Sequence, residues 1–230
     1  PTKKNFEWKG QLPIGIDGLE IINLKSIWQQ VWFHKKISFL WSALVYPFNP
    51  ELALLRMFPF PKKEMEIWDE TAKRRKIIGF AGSDAEAQLK IPRESGLQIP
   101  SYETIFNIVR THVLLKSELT GLADRDSRKI SNALNAGNFY FSLDKLAAPK
   151  GFLALVKTKD GKSFSMGDSI PWQEGMSLWI DLPRKPLYPF DTIIYRNGKK
   201  VISSNSKTTE YFLVEPGNYR VVVRVIPTFP

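Results

Sequence analysis

The segment Ile77–Glu86, with the sequence IIGFAGSDAE, joins a short apolar run to a small, acidic loop. A run such as Ile77–Ala81, which is apolar at almost every position, is typical of a strand buried on both faces. A buried strand that opens abruptly into a polar loop is typical of a parallel strand at its functional, carboxyl end. The segment therefore predicts an α/β unit with Asp84 and Glu86 at the carboxyl edge of its sheet.

Asp84 and Glu86 are the strongest candidate site residues in the sequence. Residues two positions apart on an extended chain point to the same side, so the two carboxylates can converge. Converging carboxylates repel each other unless a cation lies between them or one of them is protonated. We therefore predict a divalent metal site there, although spacing alone favours a solvated aspartate turn with an exposed glutamate. Glu20, inside an otherwise apolar strand, either faces a site at the strand end or is paired structurally.

Strand and helix patterns alternate on both sides of this segment. Ser101 is expected to cap a helix whose apolar stripe runs through Ile105 to Val109 and which ends near His112. Asp126 or Ser127 is expected to cap a later helix that Gly137 ends. The other predicted elements are a strand over Ile14–Leu24, helices from Lys25 to Tyr46 and from Pro50 to Phe58, a helix over Lys62–Lys76 and a strand over Asn138–Leu143.

The last third of the chain has a different sequence pattern. Residues 151–230 consist of short alternating runs of about ten residues between turn signals, which is typical of a β-sandwich. Asn197-Gly198, between two such runs, predicts a two-residue hairpin turn with positive φ at both positions. We therefore predict two domains, an αβ domain over residues 1–148 and a β-sandwich over residues 151–230, joined at Ala147–Lys150.

Composition excludes several classes of site. The chain of 230 residues has no cysteine, which excludes disulfides, thiolate metal sites and cysteine nucleophiles, and its two histidines cannot form a three-histidine zinc site in one copy. His34 is expected at the surface or the edge of the core. The apolar runs are shorter than the roughly 20 residues that span a bilayer, so no membrane partner is expected. The net charge of +10 is spread along the chain, and the cluster Lys73–Lys76 is interpreted as a solvated face. We do not expect a nucleic-acid partner.

Several stretches resemble one protein family. The segment IIGFAGSDAE resembles the late motif of PHP-domain proteins (polymerase and histidinol phosphatase), in which a strand ends in G-x-D-x-H. More narrowly, the chain is similar to the CehA/McbA group of PHP metallohydrolases, in stretches that follow the family's order and span most of the chain. These stretches are DGLEIINL, WDE, TIFNIVRTHVLL, ISNALNAGNFYFSLD, PKGF, MGDSI, IIYRNGKKV and PGNYRVVV.

The resemblance implies the C-terminal part of a distorted (β/α)7 barrel, similar to a TIM barrel, followed by the family's β-sandwich. It also implies a multinuclear metal site of His and Asp/Glu residues in which Asp84 is a ligand. The family's earlier ligands would precede Pro1. They are therefore expected from a missing N-terminal part of the barrel or from another chain.

The chain departs from the family pattern at one position, because the terminal metal-binding histidine of the motif is Glu86 here. A carboxylate is a harder ligand than imidazole and favours Mn²⁺, Mg²⁺ or Ca²⁺ over Zn²⁺. The resemblance thus implies a metal-dependent hydrolase of small phosphate esters or related esters that uses Mn²⁺, Mg²⁺ or Zn²⁺. The alternative is a non-catalytic PHP-like scaffold or binding protein with a degenerate metal site.

Overall fold

A computed structural model describes residues 14–24, 26–28, 31, 35–85, 89–90, 98–99 and 101–226. The first part of the chain mixes helices and strands. Its elements, in chain order, are β1 (Gly18–Asn23), α1 (Lys36–Val45), α2 (Pro50–Arg56), α3 (Lys62–Ala72), β2 (Ile78–Gly82), β3 (Leu89–Lys90), β4 (Gln98–Ile99), α4 (Tyr102–Phe106), β5 (Val109–Val113), α5 (Ala123–Ala136) and β6 (Phe139–Leu143).

The second part is entirely β. Its strands are β7 (Leu153–Lys157), β8 (Ser163–Ser165), β9 (Ser177–Asp181), β10 (Phe190–Arg196), β11 (Lys199–Ser204), β12 (Thr208–Phe212) and β13 (Tyr219–Val225). They form two antiparallel sheets with the orders β12-β9-β7-β8 and β11-β10-β13. The coarse prediction, mixed α/β followed by antiparallel β, is therefore confirmed.

The strands of the first part pair only two at a time. β1 and β2 are parallel, whereas β3 pairs with β4 and β5 with β6 in antiparallel fashion. Within the described ranges these strands close no barrel. Helical residues that follow β1, including Leu24, Ile27 and Val31, pack with Ile21 and with α2 to form the apolar core of this part.

The second part has its own apolar core between its two sheets. Leu178 and Ile180 on β9 and Ile194 on β10 are almost completely buried and belong to one cluster. Alternate residues of these strands face inward, as the period-two pattern of the sequence predicts. The hairpin prediction is also confirmed, because Asn197 and Gly198 join β10 to β11 with φ angles of 50° and 81°.

The helix predicted from Ser101 to about His112 is wrong in its second half, because the observed helix is only five residues long. Ser101 does cap α4, since its Oγ accepts a hydrogen bond from the Thr104 amide at 3.1 Å. The helix ends at Phe106, however, and Val109 already begins β5, in which His112 pairs with Tyr140 of β6. Pairing with β6 satisfies the backbone of this segment, which starts with the buried Val109, and this tertiary contact outweighs the helical spacing.

The predicted amino end of α5 is also corrected. The helix begins at Ala123, so neither Asp126 nor Ser127 is its N-cap. Asp126 instead lies in the first turn and accepts hydrogen bonds from the amides of Thr120 and Gly121, each at 2.8 Å. Its carboxylate therefore fixes the preceding loop. Gly137, with φ of 81°, ends the helix as predicted.

The two parts of the chain are in direct contact. Asp69 of α3 forms a bidentate ion pair with Arg220 of β13 at 2.6 and 2.9 Å, and Asn138 donates a side-chain hydrogen bond to the Met166 carbonyl at 2.7 Å. Turns and irregular backbone occupy residues 144–152, so no helix or strand passes through Pro149. The division into residues 1–148 and 151–230 stays a prediction.

Candidate metal centre

The carboxyl ends of β1 and β2 lie at the same edge of a parallel pair. In the register of this pair Gly18 lies beside Ile78 and Asn23 beside Gly82. Asp84 follows β2 two residues after its last residue, so it comes close to the end of β1. The structure thus brings Asp84 to the edge that the sequence predicts, whereas Glu86 lies outside the described residues.

A β-bulge determines which side chains of β1 reach this edge. The register shifts between Glu20 and Ile22, so that Ile21 is an extra residue on β1. In a regular strand Glu20 and Asn23 would point to opposite faces, because they are three positions apart. The extra residue brings them to the same side, which is a common use of bulges near functional sites. Ile21 and Ile22 can then both be buried.

Asn23 connects the two carboxylates of this edge. Its Nδ2 donates to Glu20 Oε2 at 2.9 Å and to Asp84 Oδ2 at 3.2 Å. The orientation of the amide is determined by Ser26, whose backbone N–H donates to Asn23 Oδ1 at 2.8 Å. With Oδ1 engaged in this way, Asn23 presents only its donor group to the carboxylates. We call Glu20, Asn23 and Asp84 the β-edge cluster.

Backbone features of the loop shape the cluster. Asp84 has a φ of 44°, in the left-handed region that aspartate adopts more readily than most residues. Gly82 leaves room for Glu20, because a Cβ at residue 82 would collide with Glu20 Oε1. Both Glu20 and Asp84 are exposed, so their carboxylates are accessible from solvent.

The donor set of the cluster fits a hard cation and not a soft one. Glu20 and Asp84 offer carboxylate oxygens, which suit Mn²⁺, Mg²⁺ or Ca²⁺, and the cluster contains no imidazole or thiolate. Among the described residues no group of three or more His, Cys, Asp or Glu side chains is placed to hold a metal ion. The two carboxylates by themselves could therefore hold a cation only weakly, and tight binding would need further ligands from elsewhere.

Sequence reasoning left Glu20 open and missed Asn23. The signal for Glu20 was a charge inside an apolar strand, and the structure places it at the site edge. The signal for Asn23 was present as well, since an asparagine that ends the strand GLEIIN can turn back toward its neighbours. The bulge, which makes the two residues neighbours, has no comparable signature in the sequence.

A second polar cluster lies on one face of the β5–β6 ribbon. His112 Nε2 is 2.9 Å from Asp144 Oδ1, Arg110 Nη1 is 3.5 Å from Asp144 Oδ2, and Ser142 donates to the same aspartate. The His112 ring also stacks on Tyr140 with centroids 4.7 Å apart. Because the serine contacts the aspartate and not the histidine, the order of a Ser–His–Asp nucleophilic triad is absent here. His34 lies outside the described residues.

Residues of the basic run Lys73–Lys76 make contacts with other parts of the fold. Lys73 pairs with Glu70, and Arg75 donates to the Ile16 carbonyl. Lys76 Nζ donates to the carbonyls of Ala136 at 2.9 Å and Gly167 at 2.7 Å, at the carboxyl end of α5. Cations at a helix carboxyl end are favourable because of the helix dipole. The expectation that nucleic acid is not a partner stays a prediction.

Comparison with known proteins gives no relative: no family model, no curated protein and no solved structure matches this chain. Within the described ranges there is also no helix of the length and apolar character needed to cross a membrane.

Proposed function

We propose that this chain is the C-terminal part of a metal-dependent hydrolase of the PHP type, which acts on small phosphate esters or related esters. The observation that carries the proposal is the β-edge cluster at the carboxyl end of a parallel strand pair. Catalytic residues of parallel α/β folds lie at that end, because the loops after the strands converge there. The sequence resemblance supplies the reaction class, with the rest of a (β/α)7 barrel outside the described fold.

Each residue of the cluster has a role in this proposal. Asp84 and Glu20 would bind a divalent cation through carboxylate oxygens, and Glu86, the residue in the family's histidine position, would add a further carboxylate. A bound divalent cation would activate water and stabilise negative charge on the ester. Asn23 orients both carboxylates through its Nδ2. The remaining ligands would come from a preceding segment or another chain.

A non-catalytic scaffold is the second candidate, and the amide of Asn23 favours it. An N–H donor that reaches both carboxylates relieves their repulsion, as a cation would. A protein that has lost its metal could keep the same fold with this hydrogen bond. In that case the β domain, and not the β-edge cluster, would provide the binding function.

Hydrolysis of small phosphate monoesters and diesters, measured with and without Mn²⁺, separates the two candidates. The hydrolase proposal predicts product release that chelation of Mn²⁺ abolishes and that Asp84→Asn lowers by at least about 100-fold, since a metal ligand is lost. Glu174→Gln, in an exposed loop of the second, all-β part of the chain, is the matched control and should leave the rate unchanged. Hydrolysis that neither chelation nor Asp84→Asn lowers would contradict the proposal. Absence of hydrolysis when the preceding part of the barrel is supplied would favour the scaffold.

A further inference from the structure

Helix α1 has two apolar faces, of which only one is packed against the core. Phe39 and Tyr46 are half-buried, contact the core cluster of the first part and share a face with the buried Ser42. These positions follow the spacing i, i+3 and i+7 of one helix face. On this side the helix behaves as an ordinary core helix.

The opposite face of α1 is apolar and exposed. The side chains of Ile37, Leu40, Leu44 and Phe48 have exposed fractions of 86%, 68%, 72% and 87%. Their spacing of three, four and four residues places them in one continuous row along the helix and the turn that follows it. We call these four residues the α1 stripe. Isolated exposed apolar side chains are common, but a contiguous row of this kind marks an interaction surface.

The length and composition of α1 fit a protein surface, and not a bilayer core, as the cover of its exposed face. A helix that is apolar on all sides is normally buried on all sides. With 10 residues, α1 is about half as long as a membrane-spanning helix. The α1 stripe is therefore suited to packing against another folded surface.

The charges at the ends of α1 indicate which surface that is. Lys35 and Lys36 lie at its amino end, where the helix dipole disfavours cations, and no acidic residue is present in the first turn. The last turn has no basic residue, so its carboxyl end lacks the favourable charge. A second α1 in antiparallel orientation would make the charges at both ends favourable. Each pair of lysines would then lie beside the carboxyl end of the other helix.

We infer that the α1 stripe is the interface of a two-fold dimer in which the α1 helices of two copies pack antiparallel. A row centred between Leu40 and Leu44 is complementary to itself under two-fold rotation, as an isologous contact requires. Ile37 then lies opposite the partner subunit's Phe48, and Leu40 opposite the partner subunit's Leu44. Two such stripes with their flanking residues can bury an area at the lower end of specific interfaces, about 1,200 Å² in total.

The first test is the oligomeric state of the full chain, measured by sedimentation over a concentration series. The wild type should reach a dimer, and Leu40→Glu with Leu44→Glu should weaken dimerisation by at least about 100-fold, because four carboxylates would meet in an apolar contact. Ala43→Glu is the matched control, since Ala43 is exposed on the same helix but outside the α1 stripe. Thermal melts of all three proteins show whether the fold is kept.

A second test determines whether the two α1 helices are antiparallel. The chain has no cysteine, so single cysteines can be introduced at chosen positions. An equimolar mixture of Ile37→Cys and Phe48→Cys should form the mixed disulfide between chains. Each variant alone should not form one, because equal positions in an antiparallel pair lie about 16 Å apart at 1.5 Å per residue.

The outcomes separate this dimer from other occupants of the stripe. A chain that stays monomeric at every concentration, or a dimer that Leu40→Glu with Leu44→Glu leaves intact, would overturn the inference. A monomer that binds anionic lipid vesicles through the same residues would also overturn it, in favour of a membrane surface. Disulfides formed by Ile37→Cys alone would show parallel packing and contradict the antiparallel arrangement.

Discussion

Asn23 and Asp84 are 61 positions apart in the chain, and the Nδ2 of Asn23 donates a hydrogen bond to Oδ2 of Asp84 at 3.2 Å. The contact exists because β1 and β2 are parallel neighbours in register and because the bulge at Ile21 turns Asn23 toward the edge. The same amide holds Glu20 at 2.9 Å. An asparagine is thus the central residue of the proposed metal centre.

Replacing that asparagine by a carboxylate should convert the cluster into a stronger cation site. Asn23→Asp removes the donor between the carboxylates and adds a third anionic ligand, so Mn²⁺ affinity should rise by at least about 10-fold. Without metal, repulsion among the three carboxylates should lower the melting temperature, and saturating Mn²⁺ should restore it. Calorimetric titration and thermal melts measure the two effects, and unchanged Mn²⁺ affinity would contradict the predicted convergence of the carboxylates.

The ion pair between the two parts of the chain should matter for stability. Asp69 and Arg220 have side-chain exposures of 14% and 12%, and the Arg220 guanidinium also lies 4.3 Å from the Tyr195 ring centroid. Removing one partner leaves the other charge buried, so Asp69→Leu should cost about 3 kcal/mol of unfolding free energy.

The double variant Asp69→Leu/Arg220→Met should recover most of that loss, because no buried charge remains unpaired. Urea unfolding measures both variants against the wild type. A double variant less stable than the single one would show that the apolar contacts of Arg220 are more important than its charge.

Gly198 should tolerate no β-branched residue. Its φ of 81° lies in the left-handed region, and a Cβ there would lie 3.0 Å from Asp69 Cβ. Gly198→Val should therefore destabilise the hairpin between β10 and β11 by about 2 kcal/mol or more. Lys199→Val, one position later on the exposed end of β11, is the control and should have a small effect in the same unfolding experiment.

The carboxyl group of Asp160, in the second, all-β part of the chain, leads to a prediction about pH. A side-chain hydrogen bond from Lys162, with a second from Thr158, lowers the pKa of the Asp160 carboxyl from 3.8 to about 2. A lowered folded-state pKa means that the associated stability is present above the unfolded pKa and is lost as pH falls through about 2. NMR titration should show this low pKa and its return toward 3.8 in Lys162→Ala. Equal values in both proteins would contradict the assigned cause.

Much of the fold follows from local pattern. The alternation of β9 and β10 and the Asn197-Gly198 turn could be predicted because strand period and turn chemistry are encoded within a few residues. The strand at Val109–Val113 could not, because its β-branched residues also fit a helical stripe, and only pairing with β6 decides between the two.

The candidate site, like the fold, could be predicted from the sequence only in part. Asp84 could be predicted, since it follows its strand directly in the sequence. Its contact with Asn23 could not, because it depends on which strands are neighbours and on a one-residue register shift in β1. Local sequence encodes neither the partner of a parallel strand nor the position of a bulge.

The most direct test of the account is calorimetric titration of Mn²⁺ into the full chain and into Asp84→Ala. We expect weak, saturable binding by the wild type and its loss in Asp84→Ala, with thermal melts showing that the variant keeps its fold, since Asp84 is exposed. Glu174→Ala should bind as the wild type does. If Asp84→Ala binds Mn²⁺ as tightly as the wild type, or if the wild type binds none, the β-edge cluster is not a metal centre.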